Sequence, residues 1–345
     1  MDANVAIRSA TRDHLVHIMP ELRVSGDYSF MTAVVRQLNK QYAHTLLYES
    51  DPITVDPDLI YQAQLTGMNV LQTDRITQDV IDSSEYTGAI LYNVTDRPGI
   101  GKVVPSVYYS AGIYDSEVGA SVVVPCSDFA AIHGRREPYI TQLDKSLVVG
   151  PMIETRSLRR VKTPDHTYTV GMITSGTHDK YPCDLVMQLL GRLPEDVCVM
   201  MTTMPAYRNP GMLLAIDDRA DRTRQLTRCP VTVTGMMKYL PSLDVLIYGS
   251  AKDHYEPAGR LVLEAMALGK PVICERKGVF ETILEHGVNA MLYNTVDEAI
   301  AYFELIRKDQ EMTKKLRTNA QLRASWEDVS VHAGKLRRIL RSIGA

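Results

Sequence analysis

Short apolar runs rich in β-branched residues recur along the chain, separated by longer stretches in which apolar positions return every three or four residues. The first set lies at residues 15–19, 45–48, 70–72, 89–93, 103–109, 121–124 and 147–149. Each run has the length of a strand and is apolar on both faces, as strands covered by helices in a parallel sheet are. After a basic polar stretch at 156–162, closed by Pro164, the alternation restarts. Strands are predicted at 168–174, 197–201, 231–233, 245–248, 272–274 and 291–293, with helices at 183–190, 259–267, 280–285, 296–306 and 312–324. The pattern predicts an α/β chain of two Rossmann-like, doubly wound domains, 1–160 and 161–325, facing across a cleft that is the natural ligand site.

Composition narrows the class. The chain has 345 residues, 45% hydrophobic and 23% charged, with a formal charge of −3. No stretch approaches the roughly 18 to 20 apolar residues of a membrane span, and no basic segment leads into an apolar one near the start. A cytoplasmic protein is therefore expected. The five cysteines are scattered, odd in number and without a C-x-x-C pair, which excludes a disulfide framework or a zinc ribbon. From Thr313 to the end, eight Lys or Arg face Glu327 and Asp328 alone. Such a basic tail is either a solvated face or a peripheral contact with an anionic membrane surface or nucleic acid.

The densest chemistry lies at 256–273, EPAGRLVLEAMALGKPVI. Pro257 suits a first helical turn and Gly269 a stop, so a helix is predicted from about Pro257 to Leu268. The amides near Gly259, Arg260 and Leu261, at the positive end of the helix dipole, favour a phosphate. Along a helix, the eight-position step from Glu256 to Glu264 gives about 12 Å of rise and a net turn of about 80°. Two carboxylates so placed bracket an elongated ligand with hydroxyls at its ends and phosphates in its middle, as in a nucleotide sugar.

This segment resembles the Glu-x7-Glu signature of retaining glycosyltransferases of the family-4 type, which have the GT-B fold. The resemblance extends upstream to Tyr239-Leu-Pro-Ser-Leu-Asp244 and the strand ending at Ser250, and downstream to Gly278-Val-Phe-Glu281 through Gly287-Val-Asn289. Trp326 stands where the family has a tryptophan before the last helix. In the first half only the run from His17 to Gly26 and Asp27 is similar, to the family's first strand and glycine turn.

The resemblance implies a first domain that binds acceptor, a second that binds the sugar nucleotide, and a terminal helix, 326–345, crossing back to the first. It implies that Glu256 holds the donor sugar, Glu264 the ribose, and the amides of Gly259 to Leu261 the diphosphate. Gly26 and His254 join the donor site, and Asp27 meets the acceptor or the departing sugar. Family members bring an Arg and a Lys to the diphosphate from the first loop of the second domain; here Lys180 fits and the arginine is missing, with Ser175, Gly176 or Arg260 as substitutes. The family's first-domain histidine is also missing, and Tyr109 or Ser110 takes its place. The implied reaction is metal-independent transfer, with retention, from a nucleoside-diphosphate sugar to a polysaccharide, lipid, small metabolite or modified nucleic acid. An epimerase or phosphorylase of the same fold, or a catalytically silent nucleotide-sugar-binding protein, is the alternative.

Other motifs give way. Asp56-Pro57-Asp58 is Asp-x-Asp, but nothing after it resembles the glycosyltransferase fold that uses it to bind metal. Gly99-Ile-Gly101-Lys102 fails the phosphate-loop spacing and reads as a turn. His14 and His17, beside Asp13, lack a third ligand and are expected to line the cleft.

Overall fold

The computed structural model describes residues 12–22, 25–49, 57–81, 85–94, 96–110, 113–133, 135–137, 144–159, 168–172, 182–202, 226–229 and 239–345. In chain order the first half holds β1 (Asp13–Ile18), α1 (Gly26–Leu38), β2 (Tyr42–Glu49), α2 (Pro57–Leu65), β3 (Asn69–Thr73), β4 (Gly88–Tyr92), β5 (Ser106–Ser110), β6 (Ile113–Asp115), β7 (Val122–Pro125), α3 (Asp128–His133), β8 (Arg135–Glu137) and α4 (Thr155–Leu158). The second half holds β9 (Thr169–Met172), α5 (Cys183–Leu190), β10 (Cys198–Thr202), β11 (Leu226–Cys229), β12 (Val245–Tyr248), α6 (Arg260–Ala267), β13 (Val272–Glu275), α7 (Phe280–Ile283), β14 (Met291–Tyr293), α8 (Val296–Lys308), α9 (Gln310–Ser325) and α10 (Val329–Ser342).

Among the described residues, twelve strands form two parallel six-stranded sheets, ordered β3-β2-β1-β4-β5-β7 and β11-β10-β9-β12-β13-β14, and β6 pairs with β8 in a small sheet of its own. Both orders run outward from the first strand and then restart on its other side. Each sheet therefore has one switch point, between β1 and β4 and between β9 and β12, where the loops part and leave a crevice at the carboxyl ends of the strands. The loop entering α1 and the loop entering α6 leave from these two points.

Each domain has its own core. In the first, Leu15, Leu46, Ile90 and Val107 meet Phe30 and Val34 of α1 and Leu336 and Leu340 of α10. The terminal helix thus completes the first domain, although the helix before it, α9, packs on α6 of the second. Ser25 starts α1 with an extended backbone and a hydroxyl that accepts from the Tyr28 amide at 3.1 Å. The chain crosses between domains twice, and the crossings are stitched: the Ile153 amide donates to the Glu327 carbonyl at 2.7 Å and the Val329 amide to the Ile153 carbonyl at 3.0 Å.

Several expectations change. Residues 147–149 form no strand; Asp144 caps a single tight turn at Lys145–Leu147, accepting from the Ser146 amide at 2.8 Å. Residues 231–233 lie outside the described residues, and β11 is the outer strand instead. The basic tail is divided: Lys314, Lys315 and Arg317 lie on α9, Arg337, Arg338 and Arg341 on α10, with the two helices packed on different domains. Gly99 to Lys102 make a one-turn 3-10 helix. Among the described residues no helix is long and apolar enough to cross a membrane.

The histidines do not line the cleft. His14 bonds Thr45 Oγ1 at 2.8 Å near the amino end of β1, away from the crevice, and His17, an odd number of residues on, points to the other face. His17 is fully buried, with Nε2 2.9 Å from His44 Nδ1 and Nδ1 3.1 Å from the Tyr92 hydroxyl. Burial, with His44 alongside, holds His17 well below its usual pKa; burial and then the charge of His14 bring His44 to about 4. The unfolded chain therefore takes up protons first as pH falls below about 6.5. Stability is predicted to be full above that pH and to drop between pH 6.5 and 4, by roughly 3 kcal/mol from His44 alone. Urea unfolding across this range should show the drop, and His44→Gln should flatten it; an equal slope in the variant contradicts the assignment.

Candidate functional site

The loop between β12 and α6 is shaped almost entirely by its backbone. The Ser250 amide donates to Glu275 Oε2 at 3.1 Å, the Ser250 hydroxyl to the His254 carbonyl at 3.0 Å, and the His254 amide to the Ala251 carbonyl at 3.0 Å. Lys277 Nζ donates to the carbonyls of Ala251 and Lys252 at 2.7 Å each and lies over the Tyr255 ring. Glu275 ends β13 and Lys277 follows it, so two adjacent strand ends hold one loop. The Val279 amide then donates to the Glu256 carbonyl at 3.0 Å. Gly278, in the left-handed region at φ +62°, lets this happen: a Cβ there would sit 2.9 Å from the Glu256 carbonyl oxygen and 3.0 Å from its nitrogen.

The Glu256 carboxylate, so placed, accepts from the Tyr248 hydroxyl at 3.2 Å. His254 Nε2, buried and without a hydrogen bond, is 3.6 Å away. Three residues on, Gly259 has φ +65°, and a Cβ on it would come 2.7 Å from the Phe280 ring. This left-handed residue is the N-cap of α6, which starts at Arg260 rather than at Pro257. The helical rise predicted between Glu256 and Glu264 is therefore replaced by a loop followed by one turn of helix. The first amides of α6 have no helical acceptors and point into the loop, where the dipole favours an anion.

Glu264 lies one turn into α6 with Oε1 2.8 Å from Arg260 Nε. Expected from the sequence as a substitute phosphate contact, Arg260 is instead engaged by Glu264 and by the carbonyls of Pro151, through a short bond, and Met152, at 3.4 Å, in the segment joining the domains. Its i,i+4 spacing to Glu264 explains the first partner.

The first domain faces this loop through α1 and α3. Asp27 sits in the first turn of α1, and Ser25, not Asp27, is that helix's cap. At Gly26 a Cβ would meet nothing within 4 Å, so the fold does not demand glycine there. Burial, and then the Asp27 charge, raise the Tyr92 hydroxyl; burial, Cys126 and Asp27 raise that of Tyr109. Burial pushes the Cys126 thiol up, with Asp27 and then Glu256 adding to it, so both carboxylates act on one point between the domains. Ser127 Oγ donates to the Pro257 carbonyl at 2.5 Å, and Ala258 packs against the first-domain core. Tyr109 stacks on Phe30 with centroids 3.7 Å apart and is buried, as is Ser110, which pairs its carbonyl with the Cys126 amide at 2.9 Å.

The structure thus gathers Asp27, Gly26, His254, Glu256, Gly259, Arg260, Leu261 and Glu264 around the two switch points. Ser175, Gly176 and Lys180 lie outside the described residues. Glu275, Lys277, Ser127 and Tyr248 were not singled out from sequence. Lys277 and Glu275 follow a predicted strand, which was the available signal; the Ser127 contact, 130 residues away from Pro257, had none.

Residues 231–323, which include β12, both glutamates and most of α9, match the family model of glycosyl transferases, group 1. No curated protein sequence matches the chain significantly. Solved structures do. A glycosyltransferase from Rickettsia africae superposes with a TM-score of 0.76 at 13% identity, covering 96% of this chain and 98% of that one. HepE from Anabaena, in complex with UDP and glucose, gives 0.76 at 17% identity, covering 96% and 100%. TarM from S. aureus gives 0.69 at 10%, covering 95% and 99%. The chain has the GT-B fold. The GT-B arrangement sets the carboxyl ends of the two sheets against one crevice, and here that crevice is bounded by Asp27 on one side and the Glu256 loop on the other.

Gly278→Ala is predicted to destabilise the protein by about 1–3 kcal/mol, because a left-handed residue is strained and the Cβ meets Glu256 backbone rather than a movable side chain. Gly26→Ala, with open space, should change stability by less than about 0.5 kcal/mol. Urea midpoints of the two variants measure the contrast.

Proposed function

We propose that this GT-B protein is a retaining glycosyltransferase of the family-4 type, moving a sugar from a nucleoside-diphosphate sugar to an acceptor hydroxyl. The observation that carries the reading is the placement of Glu256 and Glu264 on either side of the Gly259-capped start of α6, facing Asp27. Carboxylates accept hydrogen bonds from hydroxyls, so Glu256 suits the sugar and Glu264 the ribose, while the amides of Gly259 to Leu261 suit the diphosphate between them. Lys180 and Ser175 add to the phosphate side and His254 to the sugar. The match to the group 1 model and the UDP and glucose seen with Anabaena HepE support a nucleotide-sugar donor.

On this reading the protein stabilises the departing diphosphate with fixed dipoles as charge develops, and shields the sugar between domains. No metal takes part, so transfer persists with EDTA. The enzyme works in the cytoplasm, meeting an anionic acceptor or membrane surface through the α10 cations, and acceptor binding weakens steeply with salt if it does.

A thermal-shift panel of UDP-, GDP- and ADP-sugars is the first test, since a ligand that prefers the native state raises its melting point. One donor is expected to stand out; a flat panel rejects the reading. With that donor, Glu256→Gln and Asp27→Ala should each lower transfer about a hundredfold or more with the fold intact. Full transfer by Asp27→Ala removes it from the site. Binding without turnover selects the catalytically silent alternative, and transfer to inorganic phosphate selects a phosphorylase.

A further inference from the structure

We infer that Arg260 is a positioning residue that fixes the Glu264 carboxylate for the donor ribose and ties it to the segment joining the two domains. The inference rests on the reading that Glu264 takes the ribose. Both side chains are largely buried, 16% and 13% exposed, so water does little to screen or replace their bond. Arg260 Nε holds one carboxylate oxygen at 2.8 Å, which anchors that oxygen and leaves the other for a hydroxyl. The same guanidinium reaches the Pro151 and Met152 carbonyls with its Nη1.

That segment is itself unusual. Met152 is fully buried with φ +53°, a left-handed conformation that a side-chain-bearing residue adopts only when its surroundings hold it. On its far side the Gly150 amide donates to His332 Nδ1 at 3.0 Å, and His332 Nε2 is 2.8 Å from Glu327 Oε2 at the return crossing. Arg260 supplies the near side. Because the guanidinium is a rigid fork, its two sets of partners fix each other's position, which a single flexible ammonium does not do. Glu264 is thereby oriented before a ligand arrives, and the cost of ordering it on binding is removed.

The test is a ligand and mutant cycle. Calorimetry compares UDP, GDP and ADP with their 2′-deoxy and 3′-deoxy forms on the wild-type chain, Glu264→Gln and Arg260→Gln. For the nucleotide that binds, a ribose hydroxyl bonded to an oriented carboxylate should give the wild type a preference of about tenfold or more over the deoxy form. Glu264→Gln should abolish that ratio. Arg260→Gln should reduce it to nearly one while binding the deoxy nucleotide within about threefold of wild type, a pattern that general loosening of the fold does not produce. If the wild type shows no ratio, or Glu264→Gln keeps it, the ribose reading fails and the inference with it. If the ratio disappears in Glu264→Gln but survives in Arg260→Gln, Arg260 has no positioning role and the ribose reading stands. Should Arg260→Gln fail to fold, Arg260→Lys carries the same readout: loss of most of the ratio supports the inference, and an unchanged ratio overturns it.

Discussion

Glu256 is fixed through its main chain before its carboxylate meets anything. The Val279 amide holds its carbonyl, Gly278 lies against its nitrogen and oxygen, and Lys277 and Glu275 hold the chain just before it. Everything nearby inherits this constraint. Pro257 is presented to Ser127 of the other domain because Glu256 is where it is, and Gly259 turns left-handed because the chain must go from that anchor into α6 beneath Phe280. A loop whose main chain is held by side chains from the neighbouring strand end keeps its shape, as expected of a loop on a rigid sheet.

The charge distribution around this loop follows from the same geometry. Burial raises the Cys126 thiol, and Asp27 of the first domain and Glu256 of the second each add to it. The arginine nearest the start of α6 is committed to Glu264 and two carbonyls. The amides of the α6 end carry a fixed partial positive charge without bringing a neutralising partner to the two acids. On the proposed reading, hydroxyl-accepting groups at the ends and amides in the middle would suit an uncharged sugar and ribose joined by a diphosphate.

Much of this was legible in the sequence. The β-branched runs mark β4, β12, β13 and β14, and the helix expected at 183–190 is α5 with the same bounds, because strong apolar periodicity over short segments leaves few alternatives. The failures have specific causes. Residues 147–149 look like a strand, but Asp144 turns the chain just before them, and capping outweighs three apolar residues. The start of α6 shifted from Pro257 to Arg260 because one left-handed glycine is invisible to a helical period. His14 and His17 were assigned to the cleft as strand-end residues, whereas strand alternation sends them to opposite faces and His17 is fully buried. The grip of Lys277 on Ala251 and of Ser127 on Pro257 joins residues far apart in the chain, which no local pattern encodes.

The double crossing between domains sets how the crevice can change shape. The Ile153, Glu327 and Val329 backbone bonds join the outgoing and returning strands of chain side by side, and Thr155 bonds the carboxylate of Asp328, which also caps α10. Two crossings bonded to each other resist separation but tolerate a twist about their common line. On the crevice side, by contrast, the domains are joined at Pro257 by the Ser127 hydroxyl, with a weaker thiol contact from Cys126 at 3.7 Å. The crossing ladder joins main chain to main chain, whereas the crevice-side contact rests on one hydroxyl, one thiol and the packing of Ala258 on the first-domain core. Arg260 stands between these two features, bonded to the Pro151 and Met152 carbonyls of the joining segment and to the carboxylate beside the crevice, so the position of Met152 and that of Glu264 are set by one guanidinium.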